Sequence, residues 1–542
     1  MTGFDDLLAT LRVKGPLPVT GDSVPLGTAW LPRHGHGLDL AAFGYVEEEY
    51  LVSGQADEWT WDGRLRPVTA GPRPFTTRIL LRRPADRAAF SGAVYLEPNH
   101  ADYDRSLTWS ATAPWLVRSG HAHVGVTQEV ATVPDLARWD PGRYGPLSIP
   151  RPGQRWDIVG LVAALVKSGD GPLAGYPVSR VVMSGWSQTG TFCRTFLGEG
   201  FHERCRAGQG PAVDGYIVCI SSGGAARPGY GVLRPGAELP LDDPRRTIGG
   251  HAGGGHEVPV VELLSEGESE THRAVLRPDS DGPDSDGPGS ADAGLARLDP
   301  AGLDQRGPAA SDGPGSDLLD SADPGSNVPG SGRPGDRYRL YQVAGTGHVT
   351  GRHELATNRL QMADRGWPVN PSEVRERLSD GRMDLVARAV FAAVDRWIAD
   401  GTVPPRMPSR FAYDDPAGPA TRGLMPESLP LLRDAGGNVL GGIRTPWVEV
   451  PLGGHFPHST PVPGRCEPAP HAPYADPALL ADLRAHLVPF APAGLTRRYG
   501  DRDGYLTRLE TAAAQAVKDG WLLADDLPEL LAGASETAAG VW

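Results

Sequence analysis

Short apolar runs alternate with helix-like stretches over roughly residues 85–400 of the chain. The runs that have the pattern of buried strands are 92–96, 121–127, 179–184, 213–220, 258–264 and 338–343. Apolar helical patterns occupy 157–167 and 383–400, and the second one ends at Gly401, a typical helix-ending residue. Apolar strands that alternate with helices favour a parallel sheet covered on both faces. The pattern therefore predicts an α/β fold with a doubly wound, mostly parallel sheet.

The two ends of the chain follow a different pattern. Residues 45–53 (YVEEEYLVS) alternate between apolar and polar side chains, which favours an exposed antiparallel strand in a β-rich N-terminal extension, 1–85. Few elements are expected in 405–475, which is rich in Pro and Gly, and three short helices are expected in 476–542, the clearest at 502–519. The predicted domain organisation is an α/β core in two parts with a C-terminal extension packed on it, namely 86–277, 336–404 and 405–542.

Residues 278–335, between the two parts of the core, have a biased composition. They are mostly Asp, Ser, Gly, Pro and Ala, and they include eleven Asp but no aromatic residue. Ordering such a segment costs about 1–2 kcal/mol per residue, which the burial of its few aliphatic side chains does not offset. We therefore expect a disordered insert, which is either a mobile lid, an interaction tail or a tolerated surface insertion.

The composition narrows the class of protein. The 542 residues include 52 Lys and Arg against 66 Asp and Glu, a net charge of −14, so nothing attracts a nucleic acid or an anionic membrane overall. The four Cys form no C-x-x-C pair, which argues against a disulfide scaffold and a zinc ribbon. The N-terminus does not resemble a signal peptide, and no apolar run approaches a membrane span. We expect a soluble, cytoplasmic protein, and the sequence leaves its oligomeric state open.

Ser187 lies in the most informative stretch of the sequence. The strand predicted at 179–184 continues through Gly-Trp-Ser-Gln-Thr-Gly, 185–190, into a helix. A Ser in such a strand-to-helix turn has a strained backbone, and small neighbours such as Gly185 and Gly190 leave the room that the turn needs. The N–H of Gln188, at the start of the helix, is then a candidate donor for an oxyanion hole. The alternative is that Ser187 only caps the helix.

This G-x-S-Q-x-G form resembles the nucleophile elbow of the alpha/beta-hydrolase superfamily, and in particular that of a bacterial alpha/beta hydrolase domain family. The common superfamily pattern is G-x-S-x-G, whereas Thr189 stands here at the second Gly. The resemblance covers roughly 85–400 without the insert. It implies a nucleophile, an acid and a base that follow one another in this order along the chain.

The base and the acid are expected after the last two predicted strands. His348 lies in a Gly-rich loop after the run 338–343 and resembles the catalytic His of the superfamily. Superfamily strands place the acid nine residues after a Pro, and counting from Pro259 reaches Glu268. Glu266 is the alternative acid. Each of these side chains has the alternative interpretation of a solvated loop residue.

The remaining site predictions are less specific. A second oxyanion donor is expected after the run 92–96, from the backbone of Asn99 or His100. Three tryptophans are candidates for an apolar substrate pocket, although such residues more often belong to the core: Trp186, Trp109 and Trp115. The motifs G-x-G-x-x-G, Walker lysine and H-E-x-x-H are not found, so we expect no cofactor and no metal.

Taken together, these residues predict a serine hydrolase of the esterase or lactonase type. Ser187 would attack a carboxylic ester or lactone of a small molecule and form an acyl-enzyme. The first alternative is an acyltransferase or cyclase that uses the same three residues with another acceptor. The second is a non-catalytic binding protein that has kept the fold.

Overall fold

The computed structural model describes most of the chain outside the predicted insert. The described residues are 2–61, 65–68, 71–101, 103–221, 257–271, 337–348, 357–367, 373–379, 381–413, 420–422, 425–428, 431–465 and 483–542. They belong to one unit, formed by residues 1–276 and 337–542. The prediction of a disordered insert at 278–335 falls outside the described residues and is not tested by them.

Within the described residues, nine strands form one central sheet. In chain order they are β1 Arg12–Lys14, β2 Tyr45–Ala56, β3 Arg73–Pro84, β4 Ala93–Pro98, β5 Ala122–Val126, β6 Arg180–Trp186, β7 Gly215–Cys219, β8 Val260–Leu264 and β9 Tyr338–Gln342. Their order across the sheet is β1-β2-β3-β5-β4-β6-β7-β8-β9. The six strands from β5 to β9 in this order are parallel, and β1, β2 and β3 are joined by antiparallel pairing. The predicted mostly parallel sheet is confirmed.

All six apolar runs form strands, with ends that differ by up to two residues from the predicted bounds. The N-terminal run behaves differently from the expectation for an exposed strand. Strand β2 is twelve residues long and pairs with β3 along its whole length, from Tyr45 opposite Pro84 to Ala56 opposite Arg73. It is antiparallel as expected, but Val52 is fully buried. Residues 45–56 and 73–84 therefore form part of the central sheet.

Helices connect the strands and extend to the C-terminus. They are α1 Phe4–Leu8, α2 Leu107–Arg118, α3 Thr132–Trp139, α4 Pro141–Tyr144, α5 Arg155–Lys167, α6 Gln188–Gly198, α7 Phe201–Arg204, α8 Glu266–Thr271, α9 Asn358–Asp364, α10 Met383–Asp400, α11 Pro446–Glu449, α12 Pro492–Tyr499, α13 Arg502–Lys518 and α14 Leu527–Ala539. Short 3₁₀ helices lie at Leu40–Phe43, Arg87–Ala89, Pro152–Gln154, Gly171–Leu173 and Ala524–Asp526. Of the helices in the described residues, none has the length and apolar character that a membrane span requires.

Five pairs of short antiparallel strands lie outside the central sheet in the described residues. They are Trp30–Leu31 with His36–Gly37, Trp59–Trp61 with Leu65–Pro67, Arg206–Ala207 with Gly210–Pro211, Ala420–Arg422 with Met425–Ser428, and Gly453–Phe456 with His486–Pro489. The last pair joins two segments of the C-terminal region of the chain that are distant in sequence.

Both faces of the sheet are covered by apolar side chains. Along β4, Val94 and Leu96 belong to one hydrophobic cluster, which includes the buried faces of α5 and α6. Ala93 and Tyr95 belong to another cluster, which includes side chains of α2, α10, α13 and α14. Because successive side chains of a strand point to opposite faces, the two clusters lie on opposite sides of the sheet. This is the doubly wound arrangement that the sequence predicts.

Candidate active site

Ser187 occupies the sharp turn between β6 and α6. Its φ of 56° and ψ of −118° are unusual for a residue with a side chain. A Cβ on Gly185 would lie 2.2 Å from the backbone oxygen of Thr189, and one on Gly190 would lie 2.7 Å from the Cβ of Ser221. The two glycines are therefore required by close packing. Within α6, Ser187 makes no side-chain capping bond, so the structure does not support the alternative of a simple helix cap.

Thr189 stands where the superfamily pattern has Gly, and the structure gives a local reason for this departure. The Thr189 hydroxyl accepts a hydrogen bond from the N–H of Trp186 at 2.9 Å and donates one to the carbonyl of Trp186 at 3.0 Å. The side chain is fully buried. The hydroxyl therefore closes the turn around Ser187 from within.

His348 and Glu268 lie in contact after the last two strands of the sheet. The Nδ1 atom of His348 is 2.5 Å from Oε1 of Glu268, and the hydroxyl of Ser265 donates to Oε2 of Glu268. Burial would raise the pKa of Glu268, but the charge of His348 and the hydrogen bonds to both carboxylate oxygens lower that pKa below its ordinary value. The carboxylate therefore stays charged and accepts from Nδ1–H. In the neutral form of the ring, this tautomer leaves Nε2 as the nitrogen that can accept a proton.

Glu266 contacts the loop that carries His348, but not through the imidazole. Its Oε1 accepts from the N–H of Gly345 at 2.7 Å, and its backbone N–H donates to the carbonyl of Thr346 at 3.1 Å. Its Oε2 pairs with Nη2 of Arg433 at 2.7 Å. Burial raises the pKa of Glu266, and Arg433 and the Gly345 N–H oppose that rise. Of the two predicted acids, Glu268 is the one that the structure places on His348.

The strand order brings the three residues to one edge of the sheet. β6, β7, β8 and β9 are neighbours and run parallel, so their carboxyl ends meet at the same edge. Ser187 follows β6, Glu268 follows β8, and His348 follows β9. In open α/β sheets, ligand sites lie outside the carboxyl ends of the strands. This edge is therefore the candidate active site.

The expected second oxyanion donors are engaged elsewhere. The N–H of Asn99 donates to the carbonyl of Val126 at 2.8 Å, and the N–H of His100 donates to the carbonyl of Arg105, also at 2.8 Å. Both bonds extend strand-like pairing past the end of β4, which local sequence does not reveal. Neither N–H is poised for an oxyanion in this arrangement, which differs from the prediction for Asn99.

The next backbone N–H along the chain contacts the turn at Ser187 instead. The N–H of Ala101 donates to Oε1 of Gln188 at 3.1 Å. The backbone N–H of Gln188 is in the first turn of α6, where an N–H has no acceptor within its own helix. Ala101 thus borders the residue that offers the first predicted donor. The residues around Ala101 form no sequence pattern that would have predicted this contact.

The three tryptophans predicted for a substrate pocket make core contacts. All are at least 95% buried in the cluster on the α2 and α10 side of the sheet. The guanidinium of Arg82 lies 4.4 Å from the ring centre of Trp109, and the ring of Trp115 packs edge-on against Tyr95 at 5.2 Å. Trp186 ends β6 and packs in the same cluster. These contacts explain the three side chains as core residues.

Two buried histidines of β5 and its entry are bound by other protein groups. The Nε2 atom of His123 lies 3.0 Å from Oε2 of Glu97, and Nδ1 of His121 lies 2.6 Å from the hydroxyl of Ser91. Burial lowers the pKa of His121 to about 4. Across the part of the chain that the structure describes, no group of three or more His, Cys, Asp or Glu side chains is arranged to hold a metal ion.

The family model for the alpha/beta hydrolase domain matches residues 13–286 and 318–532. No curated protein matches the chain. Similar solved structures include esterase Est22, with 17% identity over 41% of this chain and 64% of that one and a TM-score of 0.25. A putative dienelactone hydrolase from Klebsiella pneumoniae subsp. pneumoniae MGH 78578 has 13% identity over 42% and 80% of the two chains and a TM-score of 0.24.

Brefeldin A esterase, a bacterial homologue of human hormone sensitive lipase, has 16% identity over 45% of this chain and 64% of that one, with a TM-score of 0.24. The chain thus spans slightly less than two thirds of the length of Est22 and of brefeldin A esterase. The family model, by contrast, matches most of this chain, which confirms the resemblance found in the sequence. The chain belongs to the alpha/beta hydrolase domain family.

Proposed function

We propose that the protein is a serine hydrolase that cleaves a carboxylic ester or lactone through an acyl-enzyme on Ser187. The observation that carries the proposal is the hydrogen bond of His348 to the buried Glu268, on the sheet edge where the strained Ser187 also lies. A nucleophilic Ser needs a base to take its proton and an acid that orients this base. Membership of the alpha/beta hydrolase domain family supports the same conclusion.

In the first half of the reaction, Nε2 of His348 takes the proton of the Ser187 hydroxyl. The Ser187 oxygen then bonds to the carbonyl carbon of the substrate. The π electrons of the carbonyl group move onto the carbonyl oxygen, which becomes the oxyanion. Glu268 keeps the imidazole in the required tautomer and stabilises its positive charge. The N–H of Gln188 donates to the oxyanion, and the positive end of α6 favours the negative charge there.

The acyl-enzyme forms when the carbon–oxygen bond to the leaving alcohol breaks. His348 gives its proton to the alcohol oxygen at this step, so the products of the first half are the free alcohol and the acylated Ser187. For a lactone, the alcohol remains on the same molecule. A water then attacks the acyl carbon while His348 takes its proton. The second tetrahedral intermediate collapses when the bond from the acyl carbon to the Ser187 oxygen breaks; His348 gives its proton to that oxygen, and the carboxylic acid leaves.

Intact-mass analysis after treatment with a fluorophosphonate tests the proposal directly. We expect one adduct on the wild type and none on Ser187→Ala, together with hydrolysis of p-nitrophenyl esters or simple lactones by the wild type only. Ser184→Ala is the matched control, because Ser184 lies on the same strand and its hydroxyl is bonded to Thr108 instead. This control should still form the adduct.

Two results would contradict the proposal. One is an unlabelled wild type in a sample shown to be folded by circular dichroism. The other is a folded Ser187→Ala variant that is labelled, or that hydrolyses the esters, as fast as the wild type. The second result would place the reactive group elsewhere in the chain.

A further inference from the structure

The turn after β4, next to the nucleophile, has a strained backbone. Tyr103 and Asp104 have φ values of 57° and 54°, two consecutive positive values on residues with side chains. Such residues are destabilised relative to the right-handed region, and they persist where surrounding contacts hold them. Ala101, whose N–H meets the Gln188 side chain, lies just before them. The intervening residue is not among those described.

The side chain of Asp104 is held by two buried donors. Its Oδ2 accepts from Nη1 of Arg78 and from the hydroxyl of Thr127, each at 2.6 Å. The side chains of Arg78 and Asp104 are 0% and 1% exposed. A hydrogen bond between charged groups that is shielded from water is strong. Separating the Asp104 carboxylate from Arg78 would leave a buried charge without a counter-charge, which is strongly destabilising.

Arg78 is itself fixed by the N-terminal part of the chain. Its Nε pairs with Glu49 on the neighbouring strand β2, and its Nη2 donates to the carbonyl of Leu26 at 2.6 Å. Glu49 also pairs with Arg143. The four ionic side chains carry two positive and two negative charges and are all buried. Arg78 is therefore held in place by its other contacts, and the buried network that includes Asp104 has no net charge.

A second, independent contact holds the same turn. Asn358 on α9 donates from Nδ2 to the carbonyl of Tyr103 at 2.8 Å, and this side chain is buried. The bond from the N–H of His100 to the carbonyl of Arg105 closes the turn at its base. The strained backbone is thus held by the ion pair, by α9 and by its own closing bond.

We propose that Asp104 is a positioning residue, and that its buried pair with Arg78 and the bond from Asn358 are both needed to hold the turn so that the Ala101 N–H can act as the second oxyanion donor. This inference rests on the proposed function. In the resting state the Ala101 N–H is bonded to Oε1 of Gln188, whose own backbone N–H is the first donor. A substrate carbonyl oxygen between the two N–H groups takes the place of that Oε1.

The test compares Asp104→Asn with Asp395→Asn. Asp395 also pairs with an arginine, Arg180. Arg180 lies at the start of β6, whereas Ser187 follows the carboxyl end of this strand, so the control pair is far from Ser187 along β6. The kcat and KM for a p-nitrophenyl ester and the rate of fluorophosphonate labelling are measured on each folded variant. Asp104→Asn should lower kcat and the labelling rate by roughly tenfold to a hundredfold, with KM little changed. The upper value corresponds to the complete loss of one oxyanion donor. Asp395→Asn should stay close to wild type.

A purely structural role would lower stability without this kinetic pattern. The pH profile of kcat/KM provides a further check, because the change leaves Glu268 and His348 in place and should not move its midpoint. If Asp104→Asn does not fold, Asn358→Ala removes the other contact without disturbing the buried charges. It should also lower kcat and the labelling rate while KM stays close to wild type.

The outcomes separate this inference from the proposed function. An unlabelled wild type would overturn both. A wild type that is labelled on Ser187, with folded Asp104→Asn labelled equally fast and equal in kcat, would overturn the positioning role alone. If only Asn358→Ala folds, an unchanged kcat and labelling rate in that variant would overturn it as well.

Discussion

The Glu266 carboxylate accepts a hydrogen bond from the backbone N–H of Gly345, at 2.7 Å and three residues before His348. The loop that carries His348 is therefore joined to α8 through two of its residues, Glu268 and Glu266. The second connection reaches further, because Glu266 also pairs with Arg433 in the C-terminal part of the chain. The two acids that the sequence left as alternatives thus have different contacts on the same loop.

Removing the Glu266 carboxylate should destabilise the protein. In Glu266→Ala, the buried N–H of Gly345 loses its acceptor and the mostly buried Arg433 loses its counter-charge, which should lower the free energy of unfolding by about 3 kcal/mol. Urea unfolding followed by fluorescence measures this. Glu449→Ala is the control, since Glu449 pairs with Arg444 on the surface and its loss should cost less than about 1 kcal/mol. An equal loss of unfolding free energy in the two variants would refute the stabilising role of the Glu266 contacts.

Glu268→Gln should affect catalysis more than stability. The amide keeps the size of the side chain, but it cannot hold the imidazole tautomer that leaves Nε2 free to accept a proton. We expect kcat for a p-nitrophenyl ester to fall by roughly 10⁴-fold, the scale seen when a triad carboxylate becomes an amide. Glu266→Gln, which retains an acceptor for Gly345, should lose far less. The reverse ranking of the two variants would make Glu266 the catalytic acid.

The stability of the protein should depend on the charge of Glu268 at low pH. Its pKa is lower in the folded state than in an unfolded chain, so its ionised form contributes stability at neutral pH. That contribution is present above the unfolded pKa of about 4.3 and is lost as the pH falls through the lower folded value. The difference in Tm between wild type and Glu268→Gln should therefore shrink as the pH falls below about 4. A difference that grows on acidification would contradict the sign of this shift.

Thr189 should be required for its hydroxyl and not for its size. In Thr189→Val the buried N–H of Trp186 loses its acceptor next to Ser187, so the free energy of unfolding should fall by about 1–3 kcal/mol. Labelling of Ser187 by a fluorophosphonate should slow as well, because the turn loses two hydrogen bonds. Thr189→Ser keeps both bonds and should remain close to wild type in both measurements. If the Ser variant falls as far as the Val variant, the methyl group and not the hydroxyl is what the turn needs.

Local pattern in the sequence was enough to predict the sheet and the turn at its centre. Buried strands have continuous apolar runs, and a strand-turn-helix with Gly185 and Gly190 around Ser187 is a short-range constraint, so both are visible in neighbouring residues. Strand β2 shows where this reasoning ends. Its alternation predicted the antiparallel pairing, but its burial depends on what packs on it, and Val52 is fully buried.

Tertiary structure decided which groups meet at the site. Glu266 and Glu268 are two residues apart in one short helix, where successive side chains are turned by about 100°, so only the approach of the His348 loop determines which one contacts the imidazole. Likewise, the N–H groups of Asn99 and His100 are engaged by carbonyls of Val126 and Arg105, which are brought there by the sheet and the turn. The sequence by itself determined the fold class and the strand-turn-helix at Ser187, because these depend on residues next to one another. Which glutamate contacts His348, and which backbone N–H groups near Ser187 are already engaged, depend on contacts between distant segments. Only the folded chain brings these segments together.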